Sequence, residues 1–308
     1  MTDRPALLIM QRHLAPLTAF LESQWTVYRF WEGPPAEAQG QIRALVVAGE
    51  FPLDKALIES LPKLELIACF TAGYDGIDVD WCRARGLPVT HAPGVNHEDV
   101  ADHALGLILA ARRRIAEGDR SLRAGGWTPE SKMITPSLKD QRVGVVGLGS
   151  IGAAVARRAE AMRMPVRWWG PREKDSPWPR AGSLLELARD SDILVVACKA
   201  DESNRGLVSR AVIEALGPQG LLVNVARGQL VDETELIAAL KDGRLGQAAL
   251  DVFEEEPTAA ARWADVPNTV LTPHTGGATT EAVQGMLMLL MQNLSAAFAG
   301  EPLKTPVD

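Results

Sequence analysis

The fold is decided by the stretch Val143-Gly144-Val145-Val146-Gly147-Leu148-Gly149-Ser150-Ile151-Gly152. A β-branched apolar run enters a Gly-x-Gly-x-x-Gly motif, and a helical pattern follows, which is the context that a dinucleotide-binding loop requires. Gly147 allows the tight turn, Gly149 lets backbone approach a pyrophosphate, and Gly152 lets the helix pack on the strand. Free N–H groups at the helix start would hold the phosphates. The competing interpretation is a glycine-rich turn without a ligand. The residues predicted to bind a dinucleotide here are Gly147, Leu148, Gly149, Ser150, Ile151 and Gly152.

The composition is that of an ordinary globular protein. The chain has 308 residues, enough for two domains, and its 46% hydrophobic and 23% charged residues are an ordinary balance for a soluble globular protein. The net charge of −7 argues against a general nucleic-acid surface. Cys69, Cys82 and Cys198 lack metal-type spacing and predict neither a metal site nor a disulfide framework. Met1–Pro5 has no signal-peptide layout and the apolar run Ala104–Ala111 is too short to span a bilayer, so we expect a cytoplasmic protein.

Short apolar strands alternate with helical patterns along the whole chain. This alternation predicts an α/β protein with two doubly wound, Rossmann-like parallel sheets. The turn-like segment His91–Asn96 marks the end of the first unit. We therefore predict a flavodoxin-like, substrate-binding domain over 1–96 plus 281–308 and a dinucleotide-binding Rossmann domain over 97–280. The active site is expected in the cleft between them, where strands end.

The helical pattern from His97 to about Ala116 is predicted to form one long helix. Its broad apolar face is a candidate dimer surface. That face consists of Val100, Ala104, Leu107, Ile108 and Ala111. The basic run Arg112–Arg114 is expected to be a solvated or interface face. Trp127 is expected in packing or a dimer contact, and three methionines of the last helix, over Thr279–Ala299, are predicted to fill the core. These are Met286, Met288 and Met291.

The end of the second strand of the nucleotide domain predicts which nucleotide is bound. An NAD-binding loop is followed, about 20 residues on, by an acid that binds the ribose 2′-hydroxyl. Here that position is Trp169, and Arg172 follows, where a guanidinium would pair with a 2′-phosphate. Lys174 adds positive charge. NADP(H) is therefore preferred over NAD(H); the alternative uses Glu173 or Asp175 as the acid.

Polar residues follow three later strands. They lie in Asn224–Gly228, Leu250–Pro257 and Leu271–Gly277. With the glycine loop, these segments resemble the D-isomer-specific 2-hydroxyacid dehydrogenase family, and Thr71–Asp75 and Val100–Leu107 extend the resemblance over essentially the whole chain. The subgroup it resembles most is that of the glyoxylate/hydroxypyruvate reductases and the related hydroxyphenylpyruvate reductases.

The resemblance implies a catalytic set of Arg227, Glu256 and His274. Imidazole titrates near working pH, so His274 would protonate the carbonyl oxygen while Glu256 orients it. Arg227 would hold the substrate carboxylate and stabilise developing charge. The amides of Ala72 and Gly73, at a strand end, would take the other side of the carboxylate; the competing interpretation there is a plain turn.

The resemblance also implies further cofactor contacts. Asp251 matches the family residue that bonds the nicotinamide amide, although a strand-end cap is the alternative. Val225 and Ala226 would line the same site, together with His274 and Gly276.

These observations predict an NADPH-preferring reductase of small 2-oxo acids, namely glyoxylate and hydroxypyruvate, that works as a homodimer. Reduction of aromatic 2-oxo acids such as hydroxyphenylpyruvate is the alternative within the same fold; Phe51 follows a strand end where it would shape the pocket. The alternative of another class is a nucleotide-sensing, corepressor-like binding protein.

Overall fold

The apolar runs pair as two parallel sheets in residues 4–307, the part of the chain that the computed structural model describes. Met1, Thr2 and Asp3, which belong to the N-terminal segment considered above, lie outside the described residues, as does Asp308. The strands are β1 (Ala6–Ile9), β2 (Thr26–Arg29), β3 (Ile42–Val47), β4 (Leu66–Cys69), β5 (Val89–Thr90), β6 (Val143–Val146), β7 (Val166–Trp169), β8 (Ile193–Val196), β9 (Leu221–Asn224), β10 (Gln247–Leu250) and β11 (Thr269–Leu271). The predicted α/β class with two doubly wound parallel sheets is confirmed.

Helices connect successive strands, as parallel pairing requires. They are α1 (Thr18–Leu21), α2 (Ala36–Gln39), α3 (Lys55–Glu59), α4 (Val79–Arg83), α5 (His97–Arg112), α6 (Ile115–Arg123), α7 (Ser150–Ala161), α8 (Leu184–Arg189), α9 (Arg210–Leu216), α10 (Glu233–Asp242), α11 (Ala260–Trp263) and α12 (Thr280–Ala299). Short 3₁₀ helices cover Arg12–Leu17, Phe30–Glu32, Glu202–Asn204 and Gly228–Leu230. The chain divides into two units: Met1–Asn96 with Thr280–Asp308, and His97–Thr279.

The first unit contains a five-stranded sheet in the order β2-β1-β3-β4-β5. This is the flavodoxin-like order, which reverses direction between β1 and β3. At that reversal, Gln11 Oε1 accepts a hydrogen bond of 2.9 Å from the Ala48 N–H. Open α/β sheets bind ligands at such a point.

Helix α12 is the long apolar helix of the first unit. Among the described residues it alone is long and apolar enough to cross a membrane, with a mean hydropathy of 1.3. One side of it packs into the core of the first unit through Ala282, Met286, Leu290 and Leu294. A core helix passes the same test, so the helix is weak evidence for a membrane span. Met291 also packs there, but the prediction that Met288 fills the core is wrong, because its side chain points outward and is 57% exposed.

The second unit contains a six-stranded sheet in the order β11-β10-β9-β8-β6-β7. Beyond β7, a single parallel bridge joins Trp168 to Arg180. If this bridge is counted as a rudimentary strand, the order becomes the dinucleotide-binding one, which reverses between β6 and β8. The glycine loop follows β6 and therefore lies at the reversal.

The prediction of one long helix from His97 to about Ala116 is wrong at its C-terminal end. Helix α5 stops at Arg112, and α6 begins at Ile115. Between them Arg114 adopts the left-handed conformation (φ 50°, ψ 39°), which an α-helix cannot contain. Its guanidinium is held by Glu117, in the first turn of α6.

The apolar face of α5 is buried inside the second unit, so its prediction as a dimer surface is wrong. Its residues join one core cluster with residues of α7 and of the central strands. Those residues are Val100, Ala104, Leu107, Ile108 and Ala111.

Arg112 is also buried rather than solvated. Its guanidinium donates to the carbonyl oxygen of Gln219 (2.9 Å), to Gln247 Oε1 (3.0 Å) and to the carbonyl oxygen of Asp192. Burial lowers the pKa of Arg112 to about 10, although the charge of Asp192 opposes this. The prediction of a solvated basic face is therefore wrong at Arg112, which ties together the starts of β8, β9 and β10.

Candidate active site

The glycine loop after β6 has three glycines with three different constraints. Gly147 has φ 90°, and a Cβ there would lie 2.5 Å from the Cys198 Cα. A Cβ on Gly152 would lie 2.0 Å from the Gly147 carbonyl oxygen, so only glycine lets α7 approach the strand this closely. A Cβ on Gly149 would meet nothing within 4 Å. The first and last glycines are required by the fold, whereas Gly149 faces open space.

Helix α7 begins at Ser150 with no side-chain hydrogen bond capping it from Gly149. Its first-turn N–H groups therefore offer donors and a positive dipole end beside the open side of Gly149. That arrangement fits the pyrophosphate of a dinucleotide.

Two cations follow the end of β7. Lys174 Nζ donates to the Leu148 carbonyl oxygen at 2.9 Å, directly over the glycine loop. Arg172 is exposed and makes no hydrogen bond or ion pair within residues 4–307. Glu173, one of the two alternative acids for a ribose, instead lies 3.7 Å from the Arg180 guanidinium. Trp169, at the strand end, is half-buried against the core of this unit.

The turn after β9 carries Arg227. The buried Asn224 shapes it: its side-chain oxygen accepts from the Ala226 N–H (3.1 Å), and its amide nitrogen donates to the Arg227 carbonyl (2.9 Å). A Cβ on Gly228 would lie 1.8 Å from the Phe253 carbonyl carbon. This close crossing sets the Arg227 turn against the loop that carries Glu256. The sequence alone assigned no role to Asn224, although a polar residue at the end of a buried strand indicates one.

Glu256 and His274 are directly hydrogen-bonded. The His274 Nδ1 lies 2.6 Å from Glu256 Oε2, and Glu256 Oε1 accepts from the Phe253 N–H at 2.9 Å. Because a carboxylate accepts, Nδ1 carries a proton and Nε2 is the ring atom left for a reacting group. The structure therefore brings together two of the three predicted catalytic side chains.

The electrostatics favour the charged form of both partners. The hydrogen bond to Glu256 and its charge raise the pKa of His274, against burial and the positive charge of Arg227. Burial alone would raise the pKa of Glu256, but the bonds from His274 and the Phe253 N–H, with the charge of Arg227, lower it. The charge of Arg227 thus acts on both groups.

Asp251 holds the loop that carries His274. Its carboxylate, 3% exposed, accepts from Thr272 Oγ1 (2.6 Å) and the N–H groups of Thr275 (2.9 Å) and Gly276 (2.8 Å), and its carbonyl accepts from the His274 N–H (2.8 Å). His274 has φ 53°, an uncommon conformation for a residue with a side chain. The hydrogen bonds around His274 hold its backbone in this conformation. The sequence did not predict that Thr272 takes part in them.

In the first unit, Ala72 and Gly73 follow β4 at a second turn. The Ala72 carbonyl lies 2.9 Å from His91 Nδ1, and a Cβ on Gly49 would lie 2.2 Å from the Gly73 carbonyl oxygen. The N–H groups of Ala72 and Gly73 donate to no group among the described residues. Two free amides at a strand end fit a small anion.

No group of three or more His, Cys, Asp or Glu side chains within residues 4–307 is placed to hold a metal ion.

Comparisons with known proteins agree with one another. Residues 105–276 match the family model described as "D-isomer specific 2-hydroxyacid dehydrogenase, NAD binding domain". The chain is 42% identical over 304 residues to hydroxyphenylpyruvate reductase of Plectranthus scutellarioides and, over the same length, to glyoxylate/hydroxypyruvate reductase A of Arabidopsis thaliana; each match covers 96% of this chain and 97% of the relative. It also resembles the solved NADPH-dependent glyoxylate/hydroxypyruvate reductase of Sinorhizobium meliloti in complex with NADP and malonate, with a TM-score of 0.91 and 34% identity over 99% of this chain and 97% of that one.

Proposed function

Because the chain belongs to the D-isomer-specific 2-hydroxyacid dehydrogenase family and is an oxidoreductase, we propose that it reduces small 2-oxo acids, glyoxylate and hydroxypyruvate foremost, with NADPH. The observation that carries the proposal is the His274–Glu256 pair at 2.6 Å, under the charge of Arg227 and in the same unit as the glycine loop. The relatives named for these substrates support the substrate class.

His274 is the proton donor in this proposal. Its Nε2 gives a proton to the carbonyl oxygen of the substrate, and Glu256 keeps the ring oriented and charged through Nδ1. Arg227 binds the substrate carboxylate and draws charge towards the reduced oxygen. When bound, NADPH supplies the hydride that reaches the carbonyl carbon. In the reverse direction His274 accepts the proton.

The nucleotide is held by the second unit. The loop from Gly147 to Gly152 binds the pyrophosphate, and Arg172 binds the 2′-phosphate. Lys174, which donates to the Leu148 carbonyl, adds positive charge beside the phosphates. The nicotinamide end is bound by Val225, Ala226, Asp251 and Gly276. The matched family model describes an NAD-binding domain, whereas the Sinorhizobium relative is NADPH-dependent. The preference of this chain for NADPH is therefore part of the proposal.

The free amides of Ala72 and Gly73 are proposed to bind the substrate carboxylate. The resemblance assigns them this task, and the first unit presents them without competing partners. The 1–96 and 281–308 region is therefore proposed as the substrate-binding domain, with 97–280 for the nucleotide.

Aromatic 2-oxo acids are a second candidate substrate class. Phe51, at the same end of the first sheet, is 40% exposed, and its ring centroid lies 5.4 Å from that of His13. An exposed aromatic pair can stack a phenyl side chain. The identity to hydroxyphenylpyruvate reductase equals that to the glyoxylate/hydroxypyruvate relative, so the assay must include both classes.

We also propose a cytoplasmic homodimer. Trp127 is 75% exposed and Ile134 91% exposed in the segment after α6, which leaves apolar surface that a second copy would cover. With Trp127 this exposed, a dimer contact explains it better than packing within the chain.

The test is initial-rate measurement with glyoxylate, hydroxypyruvate and hydroxyphenylpyruvate, each with NADPH and NADH. We expect the highest kcat/KM for glyoxylate or hydroxypyruvate with NADPH. His274→Asn should lower kcat about 10²–10⁴-fold while NADPH still quenches protein fluorescence on binding. Nucleotide binding without turnover of any 2-oxo acid by the unsubstituted protein would favour the corepressor-like alternative.

A further inference from the structure

A third residue contacts the Asp251–Thr272 network from helix α5. His103 Nε2 lies 2.9 Å from Thr272 Oγ1 and 3.3 Å from Asp251 Oδ1. The ring also borders the loop, since a Cβ on Gly276 would lie 3.4 Å from His103 Cδ2. His103 thus reaches the loop that carries His274 from α5 and lies near both Thr272 and Gly276.

The hydrogen-bond roles in this network follow from counting protons. Thr272 has one hydroxyl proton, and at 2.6 Å it goes to the Asp251 carboxylate. Thr272 Oγ1 can then only accept from His103, so His103 must carry its proton on Nε2. Thr272 Oγ1 and the Thr275 N–H therefore donate to Asp251 Oδ1, while the Gly276 N–H donates to Oδ2.

We propose that His103 is a positioning residue for the reaction: its Nε2–H fixes the Thr272 hydroxyl, and through Thr272 and Asp251 it fixes the loop that places His274. The inference rests on the proposed function, because it assumes that His274 donates the substrate proton. His103 itself touches neither substrate nor reacting atoms.

The physical reason is the strained loop conformation. A left-handed His274 persists only while neighbouring bonds over-determine it. Removing the His103 N–H leaves the Thr272 hydroxyl without its donor and free to turn away from Asp251, so the loop gains freedom. A shift of about 1 Å in a catalytic group can cost about 10²-fold in rate.

Loosening the loop should also change the titration of His274. The charged groups facing its ring are Glu256, Asp251 and Arg227. If the loop relaxes, the short bond to Glu256 weakens, and the pKa of His274 falls towards its ordinary value. The donor must be protonated for reduction, so the alkaline limb of the rate profile moves to lower pH.

The experiment compares His103→Leu, which removes the donor, with His103→Gln, whose amide can reach the Nε2 position. We expect kcat for glyoxylate to fall about 10- to 100-fold in His103→Leu, with the alkaline limb at lower pH, and to recover largely in His103→Gln. His97→Leu, on the same helix beside Glu98, is the matched control and should keep kcat.

Thr272→Val tests the same link from the other side and serves if His103→Leu does not fold. In the double variant His103→Leu/Thr272→Val the two effects should not add, because one hydrogen bond joins the residues. Unchanged kcat and pH profile in folded His103→Leu, with His274→Asn inactive, would overturn the positioning role and leave the proposed function standing. If the unsubstituted protein turns over no 2-oxo acid, the proposed function itself is overturned.

Discussion

At the scale of single residues, the proposed reaction depends on His274 and Glu256, a charge pair whose members stabilise each other. Glu256 raises the pKa of His274 through the 2.6 Å hydrogen bond, and its own pKa is lowered in return. Since reduction needs protonated His274, activity should persist to higher pH than an isolated imidazole allows and fall as pH rises through the raised pKa.

Glu256→Gln keeps an acceptor for Nδ1 and removes the charge. We expect the alkaline limb of kcat/KM for glyoxylate to move to lower pH and the rate at neutral pH to fall. The measurement is kcat/KM over a pH series, with Glu255→Gln, its exposed neighbour, as control. If the alkaline limb of kcat/KM lies at the same pH in both variants, Glu256 does not raise the pKa of His274.

Arg172 is the residue that should decide between the two nucleotides. Arg172→Ala removes a guanidinium that no group within residues 4–307 engages, so the fold loses nothing. A hydrogen bond to a charged group contributes about 1.5–3 kcal/mol, so the KM for NADPH should rise roughly 10- to 100-fold while that for NADH changes little. Equal changes in both would place recognition of the 2′-phosphate elsewhere. Lys174→Ala, measured alongside, reports how much the second cation contributes.

At the scale of elements, the glycine loop combines a structural requirement with a binding one, and the two can be separated. Gly152→Ala places a Cβ 2.0 Å from the Gly147 carbonyl oxygen, so α7 must move and stability should fall by about 1–3 kcal/mol. Gly149→Ala places its Cβ in open space and has φ −85°, so the fold should be kept.

If a pyrophosphate lies against Gly149, that open space is where it binds. Gly149→Ala should therefore keep the melting temperature and raise the Kd for NADPH about 10-fold or more, by loss of close approach. The control is Gly106→Ala in α5, where a Cβ meets nothing within 4 Å and Ala stabilises by roughly 0.5–1 kcal/mol. Calorimetry and fluorescence titration measure the two quantities. Unchanged NADPH affinity in Gly149→Ala would remove the pyrophosphate from this loop.

Element boundaries also show where periodicity fails as a guide. The helical pattern continues through Ala116, yet α5 ends at Arg112 because Arg114 is left-handed and bound to Glu117. Which of three successive arginines is buried is equally invisible in the sequence. Arg112 is buried because the carbonyls at the starts of neighbouring strands converge there, and those strands are distant along the chain.

At the scale of the whole molecule, the proposed homodimer rests on the segment after α6. The double substitution Trp127→Ser/Ile134→Ser removes apolar surface that is 75% and 91% exposed at the two positions. We expect the unsubstituted protein to sediment as a dimer and the variant to shift towards the monomer, because the association loses buried apolar area. Phe20→Ser, which changes a 53% exposed residue of the other unit, should leave the dimer intact. A monomeric unsubstituted protein in sedimentation velocity would contradict the proposal.

The sequence by itself determined the α/β class and the family, and it supplied the residue types of the proposed reaction. These depend on local patterns: apolar strands before glycine turns, and Arg, Glu and His in short motifs at strand ends. Only the tertiary structure decided how the motifs meet. Three sets of hydrogen bonds show this: His274 with Glu256, the three donors to the Asp251 carboxylate, and His103 with Thr272. They join residues from 18 to 169 positions apart along the chain. Such contacts are set by sheet order and by the close crossing of Gly228 with Phe253, which no pattern along the chain encodes.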